Sequence, residues 1–275
     1  MKKSEDLARS ISKRLSNLSR ERKVAFADTL TSFLIERMVQ RLTEAKDLAS
    51  SLVFKGGYVA LRIYESPRYT VDLDAVLKKG KLDTVLANAI AAIENDLEDG
   101  VWFKHEATQD LQAQTEYGAR RCVFRSGIGP VLKDLRRAQI VNFDIGIGDP
   151  ITPGPVIETT QFLLGDGALN WQVYPVETAA AEKLHTLIVR GSANSRAKDV
   201  FDLSLILEKC NRLQLMKALG KTFKFRDDEL PKDISVSLKK IDSTLLERGW
   251  NAATADIESA PQFKTAFSKI FGYFR

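Results

Sequence analysis

The stretch TVDLDAVL at residues 70–77 places the tightest limit on how this chain folds. Val71, Leu73, Ala75 and Val76 suit a half-buried strand, yet Asp72 and Asp74 interrupt them. Because side chains alternate along a strand, the two carboxylates share one face, roughly 7 Å apart, while Val71, Leu73 and Ala75 share the other. One face belongs to a core and the opposite face carries two acids. A carboxylate beside an apolar interior is costly unless a cation or strong hydrogen bonds compensate it. Two carboxylates at this separation suit one or two Mg²⁺ ions, hard cations that take oxygen ligands and complete their shell with water and phosphates.

Two neighbouring features sharpen that expectation. Gly56 and Gly57 stand between the apolar strand end Leu52-Val53-Phe54 and a short helix, YVALRIY. Glycines there let backbone N–H groups approach an anion, and the helix dipole favours a phosphate. Further on, VNFDIGIGD sets Val141, Phe143, Ile145 and Ile147 on one strand face and Asp144 on the other, with Asn142 and Gly146. A third carboxylate on a second strand suits two-metal phosphoryl or nucleotidyl transfer, in which it activates the attacking hydroxyl and shares the second metal. No GxxxxGK(S/T) and no GxGxxG followed by an acid occurs, which disfavours P-loop ATPases and dinucleotide-binding dehydrogenases.

The pattern along the chain predicts an α+β protein in two parts. Three- and four-residue apolar spacing through Leu7, Ile11, Leu15 and Leu18, and again from Phe26 to Leu42, predicts two amphipathic helices in the first fifty residues. SPR at 66–68 is a turn, Thr70–Leu77 a strand and Lys81–Leu97 a helix; Val101–Ala107, Arg121–Phe124 and Arg137–Ile147 read as strands. A GDG turn at 165–167 joins Thr159–Leu164 to Leu169–Val173 as a hairpin. Beyond Pro175 the spacing is helical throughout: Glu177–Arg190, Arg196–Lys209, Leu213–Leu219, Ile234–Arg248 and Pro261–Phe271. Residues 1–175 are thus expected to form a mixed core with N-terminal helices, and 176–275 a helical domain.

Composition bounds the class. With 275 residues, 44% hydrophobic and 28% charged, the chain can build a sizeable core. No apolar run reaches the ~18 residues of a membrane span, and MKKSEDLARSISKRL lacks the apolar stretch of a secretory signal, so a cytoplasmic protein with no membrane partner is expected. Cys122 and Cys210 lie far apart without metal-site spacing and read as reduced packing residues. His105 and His185 are too isolated to argue chemistry. Residues 1–23, with Lys2, Lys3, Arg9, Lys13, Arg14, Arg20, Arg22 and Lys23, carry a positive surplus equal to the +5 of the whole chain. That segment, with the doublets Arg120-Arg121 and Arg136-Arg137, suits a polyanion such as RNA or an ordinary solvated helix face.

In the helical part Lys183 is a cation that could offset charge on a transferring phosphate, with an acid of the next helix positioning it. Arg196 and Asp199, and Asp199 and Asp202, are three apart and share a helix face.

The ordered set FKGG, RYTVDLD, VNFDIGIGD, YPVETAAAEKLHTLIVRG and SRAKDVFDL, spanning about residues 20–208, resembles the AbiEii/AbiGii family of nucleotidyltransferase-like toxins. That family includes the MenT-type toxins and belongs to the DNA polymerase β nucleotidyltransferase superfamily. The resemblance implies a nucleotidyltransferase-like mixed sheet flanked by helices, a helical C-terminal domain, and the toxin of a toxin–antitoxin or phage-defence system, neutralised by a cognate antitoxin protein. It makes Asp72 and Asp74 the metal-binding pair, sets Gly56 and Gly57 beside the triphosphate of an NTP, and matches Lys183 and Asp199 to later motifs, with Asp202 the second choice for the acid. Several relatives transfer nucleotides from an NTP to the 3′ end of tRNA. Many superfamily members have Gly-Ser where this chain has Gly57-Tyr58, so the grip on the triphosphate is expected from backbone amides, Lys55, Arg68 or Thr70. Two other readings share the site: a nucleotidyltransferase acting on a small aminoglycoside-like molecule, and a pseudoenzyme that binds nucleotide without turnover.

Overall fold

The computed structural model describes residues 2–111, 118–148 and 150–275, without the side chains of residues 2–4. Lys2 and Lys3 of the basic segment, as side chains, and Asp149 of VNFDIGIGD lie outside that description. The chain divides into two compact units.

The first unit comprises residues 1–59, 69–148 and 157–173. Its elements are α1 (Lys2–Arg22), α2 (Phe26–Glu44), α3 (Lys46–Ser51), β1 (Leu52–Lys55), the start of α4 (Gly56–Ile63), β2 (Asp72–Leu77), α5 (Leu82–Glu94), β3 (Val101–Asp110), β4 (Ala119–Ile128), β5 (Gln139–Gly146), most of β6 (Val156–Gln161) and β7 (Ala168–Val173). Among the described residues seven strands form one mixed sheet in the order β3-β4-β5-β2-β1-β7-β6. β2 runs parallel to β5 and antiparallel to β1, which itself pairs parallel with β7; β4 is antiparallel to both β3 and β5. β6 and β7, joined through residues 162–167, lie side by side at one edge, as the GDG turn predicts.

Alternation decides which residues are buried. Leu73 and Ala75 of β2, and Val141, Phe143 and Ile145 of β5, are buried, whereas Asp72, Asp74, Asn142 and Asp144 between them are only partly so. α2 packs on β5, β7 and α5, and contributes Leu34, Ile35, Met38, Val39 and Leu42 to the core. Two apolar residues depart from the expected pattern. Val71 precedes the first residue of β2 and is 52% exposed, and Ile147 follows the end of β5 and is 53% exposed, because alternation has no core to enforce it beyond the paired residues.

An ion pair supports this unit away from the acidic face. Arg41 on α2, its side chain 1% exposed, forks onto both oxygens of Asp99 at 2.9 and 3.0 Å. It also donates to the carbonyls of Val101, Asn95 and Arg37. A buried guanidinium is tolerated because its donors are occupied.

The second unit comprises residues 60–68, 149–156 and 174–275. Its helices are α6 (Val176–Arg190), α7 (Ala197–Ile206), α8 (Arg212–Phe225), α9 (Ile234–Lys239), α10 (Thr244–Thr254) and α11 (Phe263–Tyr273). α7 packs against α6, α10 and α11 around Val200, Phe201, Leu203, Trp250 and Phe263. The single helix expected over Ile234–Arg248 is two. Asp242 accepts from the backbone N–H and hydroxyl of Thr244, at 3.0 and 2.6 Å, so its side chain satisfies donors at a new helix start and not a continuing helix. His185 is a core residue of this unit, hydrogen-bonded to Asp228 at 2.8 Å. Burial pushes both thiols up, that of Cys210 to about 12, in keeping with packing roles.

Candidate active site

In the first unit the acids are assembled by strand register. Asp74 on β2 is paired with Asp144 on β5, Asp144 with Arg121 on β4, and Asp74 with Lys55 on β1. Residues directly opposite in adjacent strands point to the same face. One line across four strands therefore reads Arg121, Asp144, Asp74, Lys55, two anions between two cations. Asp72 stands two residues earlier on β2 and accepts a hydrogen bond from Asn142 Nδ2 at 2.8 Å, its in-register partner on β5. Asn142 thereby fixes the Asp72 carboxylate from the next strand.

Gly56 and Gly57 fit against this line. Gly56 has φ +75°, and a Cβ built on it would lie 1.9 Å from Asp74 Oδ2. Only a residue without a side chain allows the Asp74 carboxylate to stand against the first residue of α4. A Cβ on Gly57 would meet the Thr70 side chain at 3.0 to 3.4 Å. Thr70 in turn accepts from the Asp72 backbone N–H at 3.3 Å, shaping the entry to β2. The glycine pair, Thr70 and the two aspartates are one packed arrangement, with the amide end of a helix set against a carboxylate face.

The positive partner that the acids demand is in part an arginine. Arg121 donates to both oxygens of Asp144, Nε to Oδ1 at 2.8 Å and Nη2 to Oδ2 at 2.7 Å, and its Nη2 lies 3.5 Å from Asp72 Oδ2. Burial pushes the Asp144 carboxyl up, against the pull of Arg121, and Asp72 adds to the rise. Arg121 is held charged more firmly than an ordinary arginine, first by its hydrogen bonds to Asp144. The doublet Arg120-Arg121 is thus not one basic patch. Neighbours on a strand point to opposite faces, and Arg120 pairs with Asp110 at 3.0 Å while Arg121 turns onto the acids.

The residues expected for a divalent cation can be tested on this geometry. Mg²⁺ is commonly held by one or two carboxylates with water and substrate phosphates. Asp72 and Asp74 share one face of β2, and Asp74 borders the space a Cβ at residue 56 would fill; the pair fits that demand. Asp144 is adjacent, but both its oxygens carry Arg121, and among the described residues no group of three or more His, Cys, Asp or Glu is gathered for a metal.

The second unit holds a separate charged network. Lys183 on α6 donates to Asp199 Oδ1 and Asp202 Oδ2, both at 2.8 Å, and both acids, one turn apart on α7, are only 2% exposed. Arg68 forks onto Asp202 at 3.1 and 3.2 Å, and Arg196 Nε donates to Asp199. Burial opposes charge on all three central groups, and attraction overrides it. Asp202 and Asp199 hold Lys183 charged and raise its pKa, while Lys183 with Arg196 and Arg68 holds the two carboxyls below their usual range. Lys183 engages both candidate acids, so the contacts do not rank one above the other. The sequence indicates Lys183, Asp199 and Arg196 by helix spacing; the link from Arg68 to Asp202 joins residues 134 apart and has no local signal.

Comparison with known proteins gives one family. Residues 37–269 match the model for the nucleotidyl transferase AbiEii toxin, type IV toxin–antitoxin system. A search of curated proteins gives no match. Among solved structures the chain is similar to JHP933 from Helicobacter pylori, at 16% identity over 87% of each chain with a TM-score of 0.47. It is also similar to an antigenic nucleotidyltransferase-like protein from Paracoccidioides brasiliensis, at 15% identity over 75% of this chain and 94% of that one with a TM-score of 0.41. Likeness at that level adds nothing to the assignment, which rests on the family match over most of the chain. The chain belongs to the AbiEii family of nucleotidyl transferase toxins of type IV toxin–antitoxin systems, a membership that implies a cognate antitoxin partner.

Proposed function

We propose that this chain is a Mg²⁺-dependent enzyme that moves a nucleoside monophosphate from an NTP to the 3′-hydroxyl of tRNA, and that its toxicity is the resulting block of translation in the cytoplasm. The observation that carries the reading is the packing of Asp74 against Gly56. It sets a helix N-terminus, which favours phosphate, against one of the two carboxylates that share a face of β2 and favour a divalent cation.

In this reading Asp72 and Asp74 hold the metal, which when bound would offset charge on the transferring phosphate. The amides at the start of α4, with Lys55 and Thr70 nearby in the same unit, bind the triphosphate. Asp144 accepts the proton of the attacking 3′-hydroxyl, a role suited to a carboxyl that burial pushes up. The acceptor oxygen bonds to the α-phosphorus as the bond to the β-phosphate oxygen breaks, and pyrophosphate leaves. Lys183, held by Asp199 and Asp202, is by the resemblance the lysine of the family's later motif. Among the described residues no helix is long and apolar enough to cross a membrane.

The test is incubation with each α-labelled NTP, Mg²⁺ and total tRNA, beside an Asp72→Ala control. Label on tRNA that is absent from the control supports the reading. Label only on a small acceptor overturns the choice of acceptor, and nucleotide binding without any label overturns turnover.

A further inference from the structure

The Arg121 fork on Asp144 is more than the proposed reaction asks for, and it points to how the site handles metal. Asp72, Asp74 and Asp144 contribute three negative charges to one sheet face, and Arg121 and Lys55 return two positive charges along the same register line. Arg121 occupies both oxygens of Asp144 at 2.7 and 2.8 Å and reaches Asp72 Oδ2 at 3.5 Å. A guanidinium in that fork takes one acceptor site on each Asp144 oxygen, and its Nη2, within reach of both Asp144 Oδ2 and Asp72 Oδ2, occupies the place of a divalent ion bridging the two. Its charge also repels any ion brought beside it.

We propose that Arg121 is a built-in competitor for divalent metal at Asp144, so that without nucleotide the protein takes metal through Asp72 and Asp74 alone, and Asp144 becomes a ligand only when Arg121 leaves it. An incoming triphosphate provides a reason to leave, because phosphate oxygens offer the guanidinium the same forked acceptor. The Arg121 side chain is 29% exposed, so its outer edge already faces solvent. Arg121 is on this account a positioning residue that sets the order of events: metal at Asp144 follows nucleotide. The inference rests on the proposed metal role of Asp72 and Asp74.

Mn²⁺ is the probe, its free ion counted by electron paramagnetic resonance in titrations of the full chain without nucleotide. Asp72→Asn and Asp74→Asn should each weaken binding at least tenfold, whereas Asp144→Asn should leave it unchanged. Arg121→Gln should add a second ion or tighten binding at least tenfold, and Arg121→Gln with Asp144→Asn together should cancel that gain. Arg121→Lys keeps the charge but not the fork and should fall between; it also serves if Arg121→Gln does not fold, as judged by circular dichroism. Equal binding by the parent and Arg121→Gln, or a gain that survives in the double variant, overturns the competition while leaving the Asp72–Asp74 site standing. No Mn²⁺ binding by the parent, with or without NTP, overturns that site and the inference with it.

Discussion

Asp74 Oδ2 stands 1.9 Å from the point where residue 56 would carry a Cβ, so the carboxylate and the first residue of α4 exclude any side chain between them. Gly56 is also at φ +75°, a region that costs other residues about 1–2 kcal/mol. Gly56→Ala should therefore displace Asp74 as well as strain the turn. The expected result is at least a hundredfold loss of nucleotide transfer with the protein still folded by circular dichroism. Gly57→Ala, whose Cβ has Thr70 side-chain atoms as its nearest neighbours at 3.0 to 3.4 Å, should lose less. Equal activity in the parent and Gly56→Ala would separate Asp74 from the chemistry.

The Lys183 network makes a prediction about stability and pH. Lys183→Met leaves two buried carboxylates with one arginine each, and breaking a buried ion pair costs about 3 kcal/mol or more. The two acids are held below the usual carboxylate range, so near pH 4 the unfolded chain binds more protons than the folded one and stability rises with pH there. The raised Lys183 acts at the other end: its contribution is whole below the unfolded lysine value of about 10.4 and is lost as pH climbs beyond it. In urea denaturation the gap between parent and Lys183→Met should be widest between about pH 5 and 9 and shrink below about pH 4. A gap that does not vary with pH would mean that packing, and not charge, is what Lys183 contributes.

Arg41 and Asp99 provide a comparison away from the acidic face. Asp99→Ala leaves a guanidinium that is 1% exposed without its anion, and the loss should be about 3 kcal/mol. The same preparation, assayed below its unfolding transition, should transfer nucleotide at the parental rate. Measured together, denaturation and activity would then show opposite patterns for Asp99→Ala and for Gly56→Ala. A drop in specific activity for Asp99→Ala would show that the α2 anchor reaches the acidic face.

How much of this was legible in the sequence follows from the range of each interaction. The shared face of Asp72 and Asp74 and the face of Asp144 were readable because alternation within one strand is local, and so was the use of glycine at the start of α4. Arg121 was not, because its partner is fixed by the pairing of β4 with β5, and a doublet of arginines looks the same whether one turns inward or both face solvent. The pairing of Arg68 with Asp202 has no local signal for the same reason, since the two are 134 residues apart. The break between α9 and α10 was written in Asp242, but helical apolar spacing on both sides of it concealed the turn it makes with Thr244.

The basic helix α1 offers the remaining test, on the RNA side of the proposal. Lys13 and Arg14 are exposed while Ile11 and Leu15 of the same helix are buried, and Lys23, just past the end of α1, is exposed too, so these charges lie where the fold leaves them open. Arg9 and Arg20 are partly engaged, by Asp6 and Asn17, and make poorer probes. If this face contacts tRNA phosphates, each contact releases counterions, and the slope of log affinity against log salt changes by about 0.7–0.9 per contact. Replacing Lys13, Arg14 and Lys23 together with glutamine should flatten the slope by about two. The measurement is best made with Asp72→Ala, so that binding is read without turnover. The same replacement should leave Mn²⁺ binding at the acidic face untouched. An unchanged salt slope would assign those charges to a solvated surface and move the RNA contact elsewhere, with exposed Arg137 the next residue to replace.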